Sequence, residues 1–287
     1  KISDAGLKHI KSLTNIWSLT LAGTKIGDAG LTEIQGLQKL EVLNLRSTEI
    51  TDAGLEPLGV FPALEWLGLD ETKVTDAGLK WLRQIDSLEN LYLVDTNIAD
   101  AGLKHVGQVT SLKELDLYGT KTTDRGMAHL ESLNKLETLG LTFTKVTNVG
   151  LERLKTLTSL EKLYLSSTGV TDDGLIHLGH LTHLEFLDLS ATKVTGTGLK
   201  HLQHLEHLGS LWLSNSPVTD ITVANITLLT SLKKELSLSE TLITDSGLRH
   251  LEGLTQLETL QIHGIKVSPV AVADLRRALP RTIISTR

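Results

Sequence analysis

The chain has 287 residues, 28 of them Lys or Arg against 34 Asp or Glu, a formal net charge of −6, 40% hydrophobic content and only 3% aromatic content. It contains no cysteine, which excludes a disulfide scaffold, a thiol nucleophile and a Cys-ligated zinc or iron–sulfur site. No apolar run approaches the roughly 18–20 residues of a membrane helix, and no basic block suits a nucleic-acid backbone, so a soluble chain with no membrane span and no nucleic-acid partner is expected.

Glycine recurs at Gly6, Gly30, Gly54, Gly78, Gly102, Gly126, Gly150, Gly174 and Gly198, always 24 residues apart. Threonine keeps the same beat at Thr24, Thr48, Thr72, Thr96, Thr120, Thr144, Thr168 and Thr192. The unit reads L-E-x-L-x-L-x-x-T-K-V-T-D-A-G-L-x-x-L, and residues 64–87 are a clear copy. Lys1 falls in the helix half of a unit with no Met start and no signal peptide, so the chain reads as part of a longer or processed protein. In the first full unit, L-x-L alternation predicts a short strand with Leu19 and Leu21 inward and Ser18 and Thr20 outward. Thr-Asp then supplies a helix cap and a first-turn acid, and a helix of two to three turns follows, with leucines such as Leu79 and Leu82 on one side. The glycine costs helix propensity, so it reads as room for close packing between neighbouring units. One unit cannot bury its own apolar face, and stacking completes a continuous core. Eleven strands at about 4.8 Å give a sheet roughly 50 Å long.

Residues 216–236 break the beat. Pro217 follows the threonine slot, Thr222 stands in the glycine slot, and one extra residue lies between Leu232 and Leu236. A tolerated bulge or short 3₁₀ turn is the expectation, and a local partner surface is the alternative. Asn225-Ile226-Thr227 is a lone glycosylation sequon. Ser268-Pro269 starts a last helix with Leu275 and Leu279 on one face and Arg276 and Arg277 outward, and residues 282–285 add a strand. Residues 268–287 therefore read as a C-terminal cap on one array that spans 1–287.

The L-x-x-L-x-L-x-x-T-x-V/I core, as in Leu136 to Val146, repeated about eleven times, resembles the leucine-rich repeat family over the whole chain. The T-D-A-G-L-x-x-L half is similar to the helix-bearing repeats of ribonuclease-inhibitor-like and F-box-associated proteins, and especially to arrays of planctomycete-type bacterial proteins. The family often has Asn or Cys where this chain has Thr, so a threonine ladder is expected inside the coil. The resemblance implies an α/β solenoid of eleven to twelve repeats, a curved horseshoe with a parallel β-sheet on the concave face and short helices on the convex face. It also implies a protein-binding module.

No nucleophile elbow, zinc-protease helix or phosphate loop is present, so no enzyme activity and no cofactor are expected. The aromatics carry the strongest signal. Of ten, Trp17, Trp66, Tyr92, Tyr118, Phe143, Tyr164, Phe186 and Trp212 fall at variable positions in or beside the strands, and only Phe61 and Trp81 lie elsewhere. Aromatics gathered on an exposed sheet mark a partner surface, and mutual support across strands is the alternative. Asp70, Glu71, Asp95, Glu114 and Asp116 join Trp66, Asn90, Tyr92 and Tyr118 on three adjacent strands, with Lys113 the only base. Residues 65–118 thus predict a hot spot for a basic protein or peptide. A carbohydrate or cell-wall glycan, a substrate recruited to a larger ligase or effector, and an enzyme to be inhibited are the alternatives. A monomer is expected, with end-to-end association of exposed solenoid ends as the alternative.

Glu41, Glu65, Glu89, Glu137, Glu161, Glu185 and Glu258 form one charged column, and Lys25, Lys73, Lys121, Lys145, Lys193 and Lys266 another. Both read as products of duplication that keep the sheet margins soluble. His177, His180, His183 and His201, His204, His207 make two matching rows in adjacent repeats, and His177, His180, His201 and His204 are the candidates for a metal. No carboxylate lies at a ligand spacing, so duplication is the favoured explanation and no metal is expected.

Overall fold

The computed structural model describes residues 2–286. They fall into two compact units, which divide between Gly140 and Leu141. The first unit holds six three-residue strands: β1 (Ser18–Thr20), β2 (Val42–Asn44), β3 (Trp66–Gly68), β4 (Asn90–Tyr92), β5 (Glu114–Asp116) and β6 (Thr138–Gly140). They run parallel in sequence order, pairing Leu19 with Leu43, Leu43 with Leu67, Leu67 with Leu91, Leu91 with Leu115 and Leu115 with Leu139. The second unit holds β7 (Lys162–Tyr164), β8 (Phe186–Asp188), β9 (Ser210–Trp212), β10 (Glu235–Ser237), β11 (Thr259–Gln261) and β12 (Ile283–Ser285), paired in the same way. The register follows from the period. One repeat is one turn of the coil, so each leucine meets its own copy in the next turn.

The core is a leucine stack. In the third repeat Leu64, Leu67, Leu69, Val74, Leu79 and Leu82 are fully buried, and burial of each such side chain is worth about 1.5–3 kcal/mol. Leu21 is buried while Ser18 and Thr20 are exposed, as the alternation predicts. Leu19, in a strand with a neighbour on one side only, is half-buried. The threonines form the expected internal column. Thr48, Thr72, Thr96, Thr120, Thr144, Thr168 and Thr192 are buried, and each hydroxyl donates to the carbonyl three residues earlier at 2.5–2.7 Å.

The expected two to three α-turns are met by Asp100–Val106, Asp245–Leu251 and Pro269–Ala278, while most other helices are shorter or 3₁₀. Among the described residues four are one α-turn continued by a 3₁₀ segment, as Asp52–Leu55 is by Glu56–Val60, and Gly78–Gln84, Asp172–Leu178 and Thr197–Leu202 are 3₁₀ throughout. Apolar residues recur every third position both in Leu79, Leu82 and Ile85, where the helix is 3₁₀, and in Leu103, Val106 and Val109, where Asp100–Val106 is α, so that spacing admits both helix types.

The first-turn acid does more than favour its own helix. Asp28 accepts from the Thr51 amide at 2.8 Å and the Thr51 hydroxyl at 2.6 Å, 23 residues on. Asp52 binds Thr75, Asp100 binds Thr123 and Asp172 binds Thr195 in the same two ways. Each acid thus staples its repeat to the next. The glycine column leaves room for that staple. A Cβ on Gly126 would lie 2.6 Å from Asp100 Oδ1.

A second column was not expected. The residue before each ladder threonine has left-handed backbone. Ser47, Glu71, Asp95, Phe143, Ser167, Ala191, Asn215 and Glu240 have φ of 52° to 57°, and Gly23, Gly119 and Gly264 share the conformation.

Residues 216–236 hold an α-turn, Asp220–Val223, then a 3₁₀ segment, Ala224–Leu228, and the extra residue is taken up just before β10. Thr259 follows the usual bond to Lys234, but Glu258 bonds to Lys233, so both Lys233 and Lys234 offer carbonyls where other repeats offer one. The Thr222 exchange is matched one repeat earlier. The acid slot there is Gly196, at φ 103°, and the Thr222 hydroxyl bonds Thr195 O at 2.5 Å where a carboxylate would sit. The sequon Asn225 spends its amide on Gly196 O at 3.1 Å. Beyond it, Ser268 caps the helix Pro269–Ala278, with Leu275 and Leu279 buried and Arg276 and Arg277 exposed.

Candidate functional site

Side chains two apart on a strand share a face, so the residues flanking each central leucine point away from the core. In the first unit this face carries Trp66, Asn90, Tyr92, Glu114, Asp116 and Tyr118, all half-buried. Trp66 folds over Gly68, where a Cβ would meet its ring at 2.7 Å. The ring then packs against Tyr92 with centroids 4.9 Å apart and planes 34° apart. Glycine at 68 is therefore what lets the indole lie flat.

The acids around this pair differ in state. Asp70 is buried and accepts from the Val94 amide at 2.9 Å, and Asp116 accepts from the Tyr118 amide at 2.9 Å. Burial pushes both carboxyls above the ordinary aspartate range, against the pull of those amides. Burial, a hydrogen bond to Glu114 and the charge of that carboxylate hold the Tyr92 phenol well above its usual range. Glu71 is exposed but engaged, accepting from the Ser47 hydroxyl at 2.5 Å and from Arg46 at 2.7 Å. Those two bonds and the arginine charge hold its pKa low. Asp95 is exposed, at a left-handed backbone position. Lys113 pairs with Glu89 at 2.7 Å, which breaks the expected like-charge glutamate column.

The same face of the second unit carries Tyr164, Phe186 and Trp212, half-buried, with Phe143 exposed in the left-handed column. Phe186 is the middle ring. Its centroid is 4.9 Å from Tyr164, tilted by 41°, and 4.9 Å from Trp212, edge-on at 81°. The predicted aromatics of this unit thus brace one another and stay partly open to solvent.

A family model described as a leucine-rich repeat region matches residues 1–223. The chain belongs to the leucine-rich repeat family. Comparison with curated protein sequences finds no match. Among solved structures, an internalin from Listeria monocytogenes is similar at 21% identity and TM-score 0.63, covering 98% of this chain and 93% of its own. A leucine-rich repeat protein from Leptospira interrogans is similar at 19% identity and TM-score 0.58, covering 99% and 94%. Internalin C2 from Listeria monocytogenes is similar at 26% identity and TM-score 0.56, covering 76% and 84%. The family and these neighbours make the fold an α/β leucine-rich repeat solenoid. No described helix is long and apolar enough to cross a membrane.

In this leucine-rich repeat chain the two histidine rows meet at one point. His183 and His207 stack at 6.3 Å with planes 3° apart, and His183 Nδ1 lies 2.9 Å from Thr158 O. His180 and His204 are exposed, His177 and His201 half-buried. Among the described residues no three His, Asp or Glu converge as a metal-holding group. Sequence reasoning missed Arg46, which neutralises Glu71 from the neighbouring repeat, and Asp188, which lies on the same face as Phe186. Strand spacing alone places Asp188 beside that ring, so its signal was present.

Proposed function

We propose that this leucine-rich repeat chain is a non-catalytic module that binds a protein or peptide on the outward face of its sheet. The principal patch spans residues 65–118 and takes a basic partner. The observation that supports the reading is the Trp66–Tyr92 pair, laid flat over Gly68 and bordered by Asp70, Glu114 and Asp116. Flat aromatic surface anchors interfaces, and a carboxylate rim attracts Lys and Arg. The nearby bases do not cancel that rim, because Arg46 is held by Glu71 and Lys113 by Glu89. The second unit adds Phe143, Tyr164, Phe186 and Trp212 as further contacts.

A peptide array probed with wild type and with a folded Trp66→Ala, Tyr92→Ala variant tests the reading. Wild type should select Lys- and Arg-containing peptides and the variant should lose them. Undiminished binding by the variant rejects the patch. A glycan reading is favoured by the same flat rings beside hydrogen-bonding carboxylates, and a glycan array with the same two proteins decides between them.

A further inference from the structure

One acid on the second unit is left unused by the docking patch. Asp188 is only 6% exposed, at the outward end of β8. Tyr164 lies beside it on β7 and Trp212 beside it on β9, each in direct register. Phe186, two residues earlier on its own strand, projects from the same face. Three rings therefore border one carboxylate, and Phe186 touches both of the others. Ser190 closes the fourth side, its amide donating to Asp188 at 2.8 Å.

No described basic group pairs with Asp188, and burial raises its pKa accordingly. An unpaired buried carboxylate opposes folding, so a cation from outside would relieve a cost already present. Trp212 Nε1 is buried without a hydrogen-bond partner, so no polar bond anchors its ring against adjustment. The π faces favour a cation, and the burial of the carboxylate favours one that loses its water readily. A guanidinium is planar and weakly hydrated, while an ammonium holds its water strongly.

We propose that Tyr164, Phe186, Trp212 and Asp188 form a seat for an arginine side chain of a partner polypeptide. The guanidinium lies against the rings and pairs with the Asp188 carboxylate. The seat extends the docking reading to the second unit and rests on it only in that the partner is a polypeptide.

The four tryptophan indole N–H signals of the ¹⁵N-labelled protein provide the test, with the Trp212 signal assigned from Trp212→Phe. The probe is an acetylated, amidated Gly-Arg-Gly tripeptide, run beside its lysine and citrulline counterparts. The Trp212 signal should shift saturably with arginine, more weakly with lysine, and not with citrulline. Asp188→Asn removes a buried charge without changing shape, so it stays folded, and it should weaken the arginine titration by about tenfold. Phe186→Ala should also weaken it. An unmoved Trp212 signal, equal titration by citrulline or lysine, or unchanged affinity in Asp188→Asn overturns the seat. A shift of Trp66 alone overturns the seat but leaves the first-unit patch standing.

Discussion

Gly126→Ala tests how one repeat is fastened to the next. Gly126 lies in the α-turn Asp124–Met127, and at an ordinary helix position the exchange stabilises by about 1 kcal/mol. Here the new Cβ would lie 2.6 Å from Asp100 Oδ1 and 2.7 Å from Leu103 Cδ1, both inside contact distance. Asp100 cannot yield freely, because it accepts from the Thr123 amide at 2.8 Å and the Thr123 hydroxyl at 2.7 Å. Bonds to a charged acceptor are worth about 1.5–3 kcal/mol each, so disturbing the pair outweighs the propensity gain and leaves a net loss of about 2 kcal/mol. Gly6 holds the same slot in the helix Asp4–Leu7, yet a Cβ there meets nothing within 4 Å. Gly6→Ala should therefore stabilise its repeat by up to about 1 kcal/mol. Urea unfolding followed by circular dichroism reads the first substitution. Amide exchange at Leu21, which bonds Asn44 O at 2.8 Å, reads the second. In Asp100→Ala the part of the Gly126→Ala cost that comes from the carboxylate should vanish, leaving the Leu103 contact. A neutral or stabilising Gly126→Ala, or strict additivity in the double variant, would refute the staple.

Ala191 has φ 52°, so Ala191→Gly should raise stability by about 0.5–1 kcal/mol after the unfolded-state entropy of glycine is deducted, and an unchanged urea midpoint would contradict this. A Cβ on Gly196 would lie 3.1 Å from Thr222 Cβ at a φ of 103°, so Gly196→Asp should destabilise by about 2 kcal/mol, and Thr222→Gly in the same chain should recover part of it. Absence of recovery would mean the two slots do not compensate each other. Asp188 has a raised folded pKa, so its protonated form favours the fold below the unfolded value of about 4 and that support is lost as pH rises through the raised value. Asp188→Asn should therefore stabilise at pH 7 and be neutral below about pH 4 in urea titrations, and a pH-independent effect would refute the assignment. Asp172 has the opposite sign. Burial alone would raise its pKa, but bonds from Thr195, Gly198 and Thr197 together lower it, so its support is present at pH 7 and fades as pH falls below about 4. Asp172→Asn should cost stability at pH 7 and progressively less in acid.

Features that repetition multiplies were legible in the sequence. Leu67 and Leu91 are 24 residues apart, as Gly78 and Gly102 are, and one period sets both the coil and the strand register. The outward positions of Trp66, Tyr92, Tyr164, Phe186 and Trp212 followed from alternation about a central leucine. The helix type was not legible because a step of three fits both periodicities: Leu79, Leu82 and Ile85 go with a 3₁₀ helix and Leu103, Val106 and Val109 with an α-helix. The left-handed column was hidden because Ser47, Glu71, Phe143 and Ala191 do not prefer that conformation, and only Gly23, Gly119, Gly264 and Asn215 hint at it. The state of each acid was hidden too. Glu71 is neutralised by Arg46 from the previous repeat, while Asp188 is left buried by rings from both adjacent repeats. Such pairings depend on residues about 24 positions away, whose rotamers a linear pattern does not carry.

The left-handed column also bears on where this chain varies its surface. A side chain there costs about 1–2 kcal/mol that glycine would avoid, and eight repeats accept the cost. If the fold alone chose, all eleven positions would resemble Gly23, Gly119 and Gly264. The occupants instead differ in charge and size: Glu71 and Asp95 beside the Trp66–Tyr92 pair in the first unit, and Phe143, Asn215 and Glu240 in the second. Glu71 uses its position to reach Arg46 and Ser47 across the neighbouring strand. The threonine one residue later is nearly invariant, because its hydroxyl closes the turn inside the coil. Framework and variation thus alternate residue by residue. The buried partner of each pair serves the coil, and the strained, outward one is where the surface is varied, as the docking proposed for this face requires.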